Sequence, residues 1–135
     1  MSILICCFSI GIVGCTGSQK PELVPASGVL LIDGEKAANI MVQFVPDTMD
    51  ENLIAPTSQG LTNEEGEFDL YTLQNEKGAI EGPHRVSLID IMEERVPQGQ
   101  EASQPARLDP KFASGQISVT VKNGEKITLE ANSPE

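Results

Sequence analysis

Three features of the sequence predict an all-β fold. Apolar and polar residues alternate with a period of two over several short runs. Clusters of Gly, Asn, Asp and Pro separate those runs, and no stretch sustains the 3.6-residue apolar spacing of an amphipathic helix. Composition agrees. Aromatic residues make up 4% of the chain, with no Trp and one Tyr, so the core has to be built from aliphatic side chains, and the β-branched Val and Ile among them favour strands. A length of 135 residues suggests one domain.

Taken in order, residues 26–32 form the first strand, closed by Asp33-Gly34, a two-residue hairpin signal. In the second, Ile40, Val42 and Phe44 alternate with Met41, Gln43 and Val45, and Pro46 ends it. A loop, 47–56, leads to a weak third strand at 57–62. After the turn Asn63-Glu64-Glu65-Gly66, Phe68 and Leu70 alternate with Glu67, Asp69 and Tyr71. A second loop, 74–83, precedes a strong strand at 84–91 with Val86 and Leu88 on one face. Residues 93–105 read as a polar loop. Ile117, Val119 and Val121 then alternate with Ser118, Thr120 and Lys122, and Asn123-Gly124 signals a hairpin into the last strand, marked by Ile127, Leu129 and Ala131. Seven short strands with regular turns indicate a single antiparallel β-sandwich of immunoglobulin-like type over 26–131, with a tail at 132–135. The inward set is expected to be Leu30, Ile32, Ile40, Val42, Phe44, Phe68, Leu70, Val86, Leu88, Ile117, Val119, Val121, Ile127 and Leu129.

The N-terminal segment is of another kind. Residues 3–13 are apolar or small, and residues 1–14 carry no charged side chain. A run of about 11 residues falls short of the ~20 that a bilayer core needs, but it matches the apolar core of a signal peptide. It ends Ile12-Val13-Gly14-Cys15, which resembles the bacterial lipobox. That resemblance implies diacylglycerol attachment to the Cys15 thiol and cleavage before it. Residues 1–14 would then be a signal peptide, Cys15 the lipidated N-terminus with membrane lipid as its partner, and 15–25 a polar, proline-bearing tether. Met1-Ser2 lacks the Lys or Arg that usually opens a signal peptide. A buried N-terminal strand with incidental cysteines is the other reading. Residue 16 is Thr, not the Asp that often retains lipoproteins in the inner membrane, which points to export and an outer-membrane location.

Charge and cysteine content exclude several function classes. Asp and Glu number 20 against 9 Lys and Arg, a net charge of −11. Nucleic acid needs a basic surface, so it is not an expected partner, and electrostatic docking on anionic lipid is disfavoured. Cys6, Cys7 and Cys15 all precede the β region, which leaves it no disulfide and no cysteine metal site.

Four segments carry a family resemblance: VPASGVLLIDGEKAANIMVQFVPD (24–47), GLTNEEGEFDL (60–70), GAIEGPHRVSLID (78–90) and DPKFASGQISVTVKNGEKITLE (109–130). In this order, behind a lipobox, they resemble the small transthyretin-like, or carboxypeptidase-regulatory-like, lipoproteins of planctomycete type. The resemblance implies a seven-stranded Greek-key sandwich and export, and no established activity. Two positions depart from the family pattern. Val29 and Leu31 stand where polar residues usually face water, and His84 stands where an inward Tyr is usual.

No catalytic constellation is found. His84 is the only histidine, no cysteine follows Cys15, and no Gly-x-Ser-x-Gly element occurs. Ser114-Gly115 beside Lys111 has no partner in view. Some transthyretin-like proteins are 5-hydroxyisourate hydrolases, with several histidines and a C-terminal Tyr-Arg-Gly-Ser; this chain ends Glu-Ala-Asn-Ser-Pro-Glu. His84 reads as a packed or edge histidine sooner than a metal ligand or pH switch. Asp47, Asp50 and Glu51 could offer oxygen ligands to calcium but lack the spacing of a calcium loop, so they read as a solvated loop. No enzyme activity, metal or cofactor is expected. The expected function is a non-catalytic, membrane-tethered binding or structural module of the cell envelope. The alternative is an accessory carbohydrate- or peptide-binding module serving a separate envelope enzyme, for which Tyr71 and Phe112 are the candidate rings. Val29, Leu31, Met41 and Val45 are expected to form an outward apolar patch for a protein partner, unless the tether or the 93–105 loop covers it or the register is reversed.

Overall fold

Alternation of apolar and polar residues becomes two β-sheets facing each other over one core. The computed structural model describes residues 14, 20–48, 54–93, 97, 99–100 and 105–135. Its strands are β1 (Leu23–Val24), β2 (Ser27–Ile32), β3 (Glu35–Lys36), β4 (Ile40–Pro46), β5 (Ser58–Leu61), β6 (Glu67–Asp69), β7 (Tyr71–Thr72), β8 (Ala79–Ile80), β9 (Gly82–Asp90), β10 (Ile117–Val121) and β11 (Ile127–Ala131). A 3-10 helix, Pro110–Ser114, precedes β10. One sheet runs β10-β9-β4-β5-β7; the other runs β11-β2-β3 with β6 also beside β2; β1 and β8 form a two-stranded ribbon. Ring centroids of Phe44 in β4 and Phe68 in β6 lie 6.0 Å apart, which places the two sheets face to face. All of the expected inward set is buried except Ile117 and Val119. These two pack half-buried against the core because β10 is a sheet edge.

The turns divide into two kinds. Asp33 and Gly34 take φ of 53° and 80°, and the hairpin β2–β3 pairs Leu31 with Lys36 and Ile32 with Glu35, as the sequence signals. Asn123-Gly124 does not make a hairpin. β10 pairs with β9 and β11 pairs with β2, so this turn carries the chain from one sheet to the other. β11 also runs parallel to β2, from Ile127 opposite Gly28 to Ala131 opposite Ile32, which corrects the expectation of a wholly antiparallel fold. Period-two alternation fixes which face of a strand is buried; it does not fix the neighbour. Gly28 is what admits β11 and β6 on either side of β2, because a Cβ there would strike the Ile127 carbonyl and the Phe68 ring.

Other departures are local. Leu23 and Val24, in the stretch read as tether, pair with Ile80 and Ala79, in the stretch read as loop. Pro46 is the last paired residue of β4, opposite His84. The run 67–71 splits at Leu70, whose N–H donates to the Ala26 carbonyl, so β6 joins one sheet and β7 the other. Much of 93–105, and 49–53 of the loop at 47–56, lie outside the described residues.

β10 begins opposite Val86, which leaves residues 87–90 of β9 without a strand on that side. The 3-10 helix packs there, with Leu108 and Phe112 buried against the core. Asp109 caps it by accepting from the Lys111 N–H at 3.0 Å, and Gly115, at φ 70°, ends it. A bare sheet edge is thus covered by local chain.

Candidate functional site

Of the residues expected at the N-terminal processing site, Ile12, Val13 and Cys15 lie outside the described residues, and Gly14 is exposed. The body begins at Lys20, whose ammonium pairs with Glu76 at 2.7 Å. No helix among the described residues is long and apolar enough to cross a membrane. Asp50 and Glu51 lie outside the described residues, and Asp47 faces Arg85 at 3.6 Å. No group of three or more metal-ligating side chains converges among the described residues.

The four residues of the expected apolar patch do not come together. Val29 and Leu31 lie on the outer face of one sheet, Met41 and Val45 on that of the other. Val29 is flanked on its own face by Thr128 and Glu67, and Leu31 by Glu130 and Lys36, whose stems leave both half-buried. Met41 sits between Ile89 and Leu61 in a short cross-strand row, and Val45 stands apart beside Arg85. The patch dissolves because strands adjacent in sequence enter opposite sheets.

Two polar side chains point into the core from β9. His84 is 1% exposed. Its Nδ1 lies 2.9 Å from the Gly82 carbonyl, which can only accept, so Nδ1 carries the proton and Nε2 is a bare acceptor without a partner among the described residues. Burial pushes its pKa below 6.5, only partly opposed by the Gly82 carbonyl. Asp90 is 6% exposed and accepts from Arg107 Nη2 at 2.8 Å and Nε at 2.9 Å, and from the Met92 N–H at 2.9 Å. Both ends of the guanidinium fork also reach the Ala38 carbonyl at 3.2 Å. Burial alone would raise the Asp90 carboxyl; the Arg107 hydrogen bonds and the Met92 N–H outweigh it and hold the pKa below 3.8. Among the described residues, neither has a hydrogen bond to a nucleophilic side chain.

A groove of about 450 Å³ lies where β5 and β7 of one sheet meet β2 and β6 of the other. Tyr71 forms one wall, 38% exposed, with Asn63, Asp69 and Lys126 around it and Gly60 beneath. A Cβ at Gly60 would strike the Asp69 carbonyl, so glycine lets β5 lie close to β6. Asn63 Oδ1 is occupied by the N–H groups of Glu65 and Glu67, at 2.9 and 3.0 Å. Asn63 and Asp69 both line the groove. An aromatic face with a few polar groups is the chemistry that holds a hydroxylated ligand such as a sugar. Of the two rings singled out from sequence, Tyr71 is placed at this groove, and Phe112 is buried in the core. Lys126 was not legible as part of the groove; its Nζ reaches Glu67 at 3.4 Å across 59 residues of sequence.

The class that fold and groove define is an all-β, β-sandwich-like domain. Compared with known proteins, the chain matches no family model, no curated protein and no solved structure.

Proposed function

We propose that the chain is a lipid-anchored, exported protein of the cell envelope whose β-domain serves as a non-catalytic binding or structural module, in the outer membrane as Thr16 implies. The observation that carries this reading is the order of features along the chain. An uncharged apolar run is followed by Ile12-Val13-Gly14-Cys15, and only residues 16–22 separate Cys15 from β1. Two or three acyl chains at ~0.8 kcal/mol per buried methylene suffice for stable attachment. The same reading takes the fold as the seven-stranded Greek-key sandwich of transthyretin-like lipoproteins. It is supported by strand in each of the seven expected runs; β1, β3 and β8 are two-residue additions. Cys15→Ser should leave an uncleaved precursor without lipid, while the parent carries diacylglycerol on an N-terminal cysteine. Mass spectrometry of the two proteins checks this, and normal cleavage of the variant would overturn it.

A second reading, an accessory saccharide-binding module, is favoured by the Tyr71 groove. Titration calorimetry with a panel of soluble oligosaccharides should find a binder for the parent. Tyr71→Ala should weaken it by about tenfold, the effect of losing one stacking face. Absence of any binder, or equal affinity in both proteins, would remove this reading.

A further inference from the structure

We propose that the domain stands on the membrane on one particular end, with Ile54 and Leu73 entering the zone between headgroups and acyl chains. This rests on the lipid-anchor reading above. Strand register gives the domain two ends. At one, Leu23 is opposite Ile80, Ser58 opposite Thr72, and Val121 opposite Gly82. At the other, Ile40 is opposite Asp90 and Ala131 opposite Ile32.

The first end is the one from which the chain leaves toward Cys15. There Lys20, Pro21 and Leu23 share a recess of about 320 Å³ with Ile54, Pro56 and Thr72. Ile54 is 76% exposed, and Leu73, in the turn between Thr72 and Gln74, is 62% exposed. These are the two most exposed large apolar side chains among the described residues, and both occur beside the tether. Aliphatic side chains gain by leaving water for the bilayer interface.

Charge separates the ends in the same sense. At the tether end acid and base nearly balance: Lys20 pairs with Glu76, Arg85 with Asp47 and Lys122 with Glu125, and the further acids Glu22 and Glu81 are offset by Lys77 and Lys126. At the far end Lys36 and Arg107 are taken up by Glu65 and Asp90, and Asp33, Glu35, Glu64 and Glu93 stand in excess among the described residues. An anionic leaflet repels the far end and is nearly indifferent to the near one. Reach favours the same end. Leu23 is the first residue fixed by strand pairing, and the eight links from there to Cys15 extend at most ~29 Å. The nine residues of β9 run ~30 Å. The far end could therefore meet the membrane only with the tether drawn out to its full length along the domain, whereas the near end meets it with the tether slack.

The test uses the full chain, processed and lipidated in cells and reconstituted in phosphatidylcholine vesicles containing nitroxide-labelled lipid. Ile54→Cys, Leu73→Cys and, at the far end, Glu64→Cys each carry a fluorophore; the Cys15 thiol is blocked by its lipid. Quenching at 54 and 73 should exceed that at 64 by about threefold or more, as insertion by a few ångströms requires. Equal quenching at all three positions, or none, in vesicles that retain the protein would overturn the docking and leave the anchor standing. A parent that neither floats with vesicles nor carries lipid would overturn the anchor reading, and the docking with it. Both probed apolar side chains are exposed, so folding is not at stake; an unchanged melting temperature of each variant verifies that.

Discussion

β9 carries two buried polar side chains on its inward face, and the fold treats them in opposite ways. Asp90, at the strand's end, is charged, and its carboxylate is met by a guanidinium fork and a backbone N–H. His84, six residues earlier, has one hydrogen bond, a bare Nε2, and the Phe44 ring 5.9 Å away. Burial drives both toward their neutral forms. At Asp90 it is overcome, because residues 105–109 come back across the open end of the sheet and bring Arg107 with them. At His84 only the Gly82 carbonyl opposes it, and that is too little. The core admits a charge only where a second segment can satisfy nearly all of its hydrogen-bonding capacity. Elsewhere it admits a polar ring, provided the ring stays neutral.

The comparison is broken most severely at Arg107. Arg107→Met leaves Asp90 buried without its cation. Loss of one partner of a fully buried pair costs ~3–5 kcal/mol. The Arg107 side chain is 41% exposed, so screening reduces this to ~2–3 kcal/mol, read by urea denaturation at neutral pH. The sign with pH follows. In the parent, the folded-state pKa of Asp90 lies below 3.8, so its stabilisation is present above that value and is lost as pH falls through the folded-state pKa. In the variant, burial is opposed only by the backbone N–H groups of Met92 and Glu93, so the Asp90 pKa rises from its value in the parent and the deficit should shrink on acidification as the carboxyl takes up a proton. Adding Asp90→Leu to Arg107→Met should recover most of the loss, since no charge is then left uncompensated. A double variant as unstable as the single would mean that Arg107 acts chiefly through the Ala38 carbonyl.

The two halves of this contrast were unequally legible in the sequence. His84 and Asp90 share the parity of Val86 and Leu88, so the alternation of β9 already turns all four inward. Nothing local says that Arg107 returns to Asp90 across 17 residues, because a side-chain pair between separate segments leaves no periodic trace. The same limit explains the sheets. The buried faces of β2, β4, β9 and β11 follow from period two, and the Asp33-Gly34 hairpin from its turn residues. The sheet switch at Asn123-Gly124 and the parallel pairing of β11 do not, since a turn dipeptide fixes local backbone and not the destination of the strand that follows. Val29 and Leu31 were separated from Met41 and Val45 for that reason. At the groove, Tyr71 stood out as the only Tyr, whereas Asn63 and Lys126 reach it only through the fold.

The smallest change sharpens the comparison by pH instead of by magnitude. His84→Leu replaces a half-satisfied imidazole with an apolar side chain of similar bulk against Phe44. At pH 7.5 both histidine states of the parent, folded and unfolded, are mostly neutral, so the variant should differ from it by no more than ~1 kcal/mol. Below about 6.5 the unfolded parent binds a proton that the folded parent refuses, because the folded-state pKa is depressed. The parent should therefore lose stability as pH falls from 6.5 toward the folded-state pKa, with a slope approaching ~1.4 kcal/mol per pH unit. The Leu variant lacks that slope. His84 is the only histidine in the chain, and the carboxylates titrate mainly lower, so the interval from pH 6.5 to 5.5 isolates it. Urea midpoints of the two proteins should differ little at pH 7.5, and the variant's should gain steadily on the parent's at 6.5 and 5.5. Parallel curves across that interval would mean that His84 protonates as readily in the folded chain as in the unfolded one, and the contrast with Asp90 would fail.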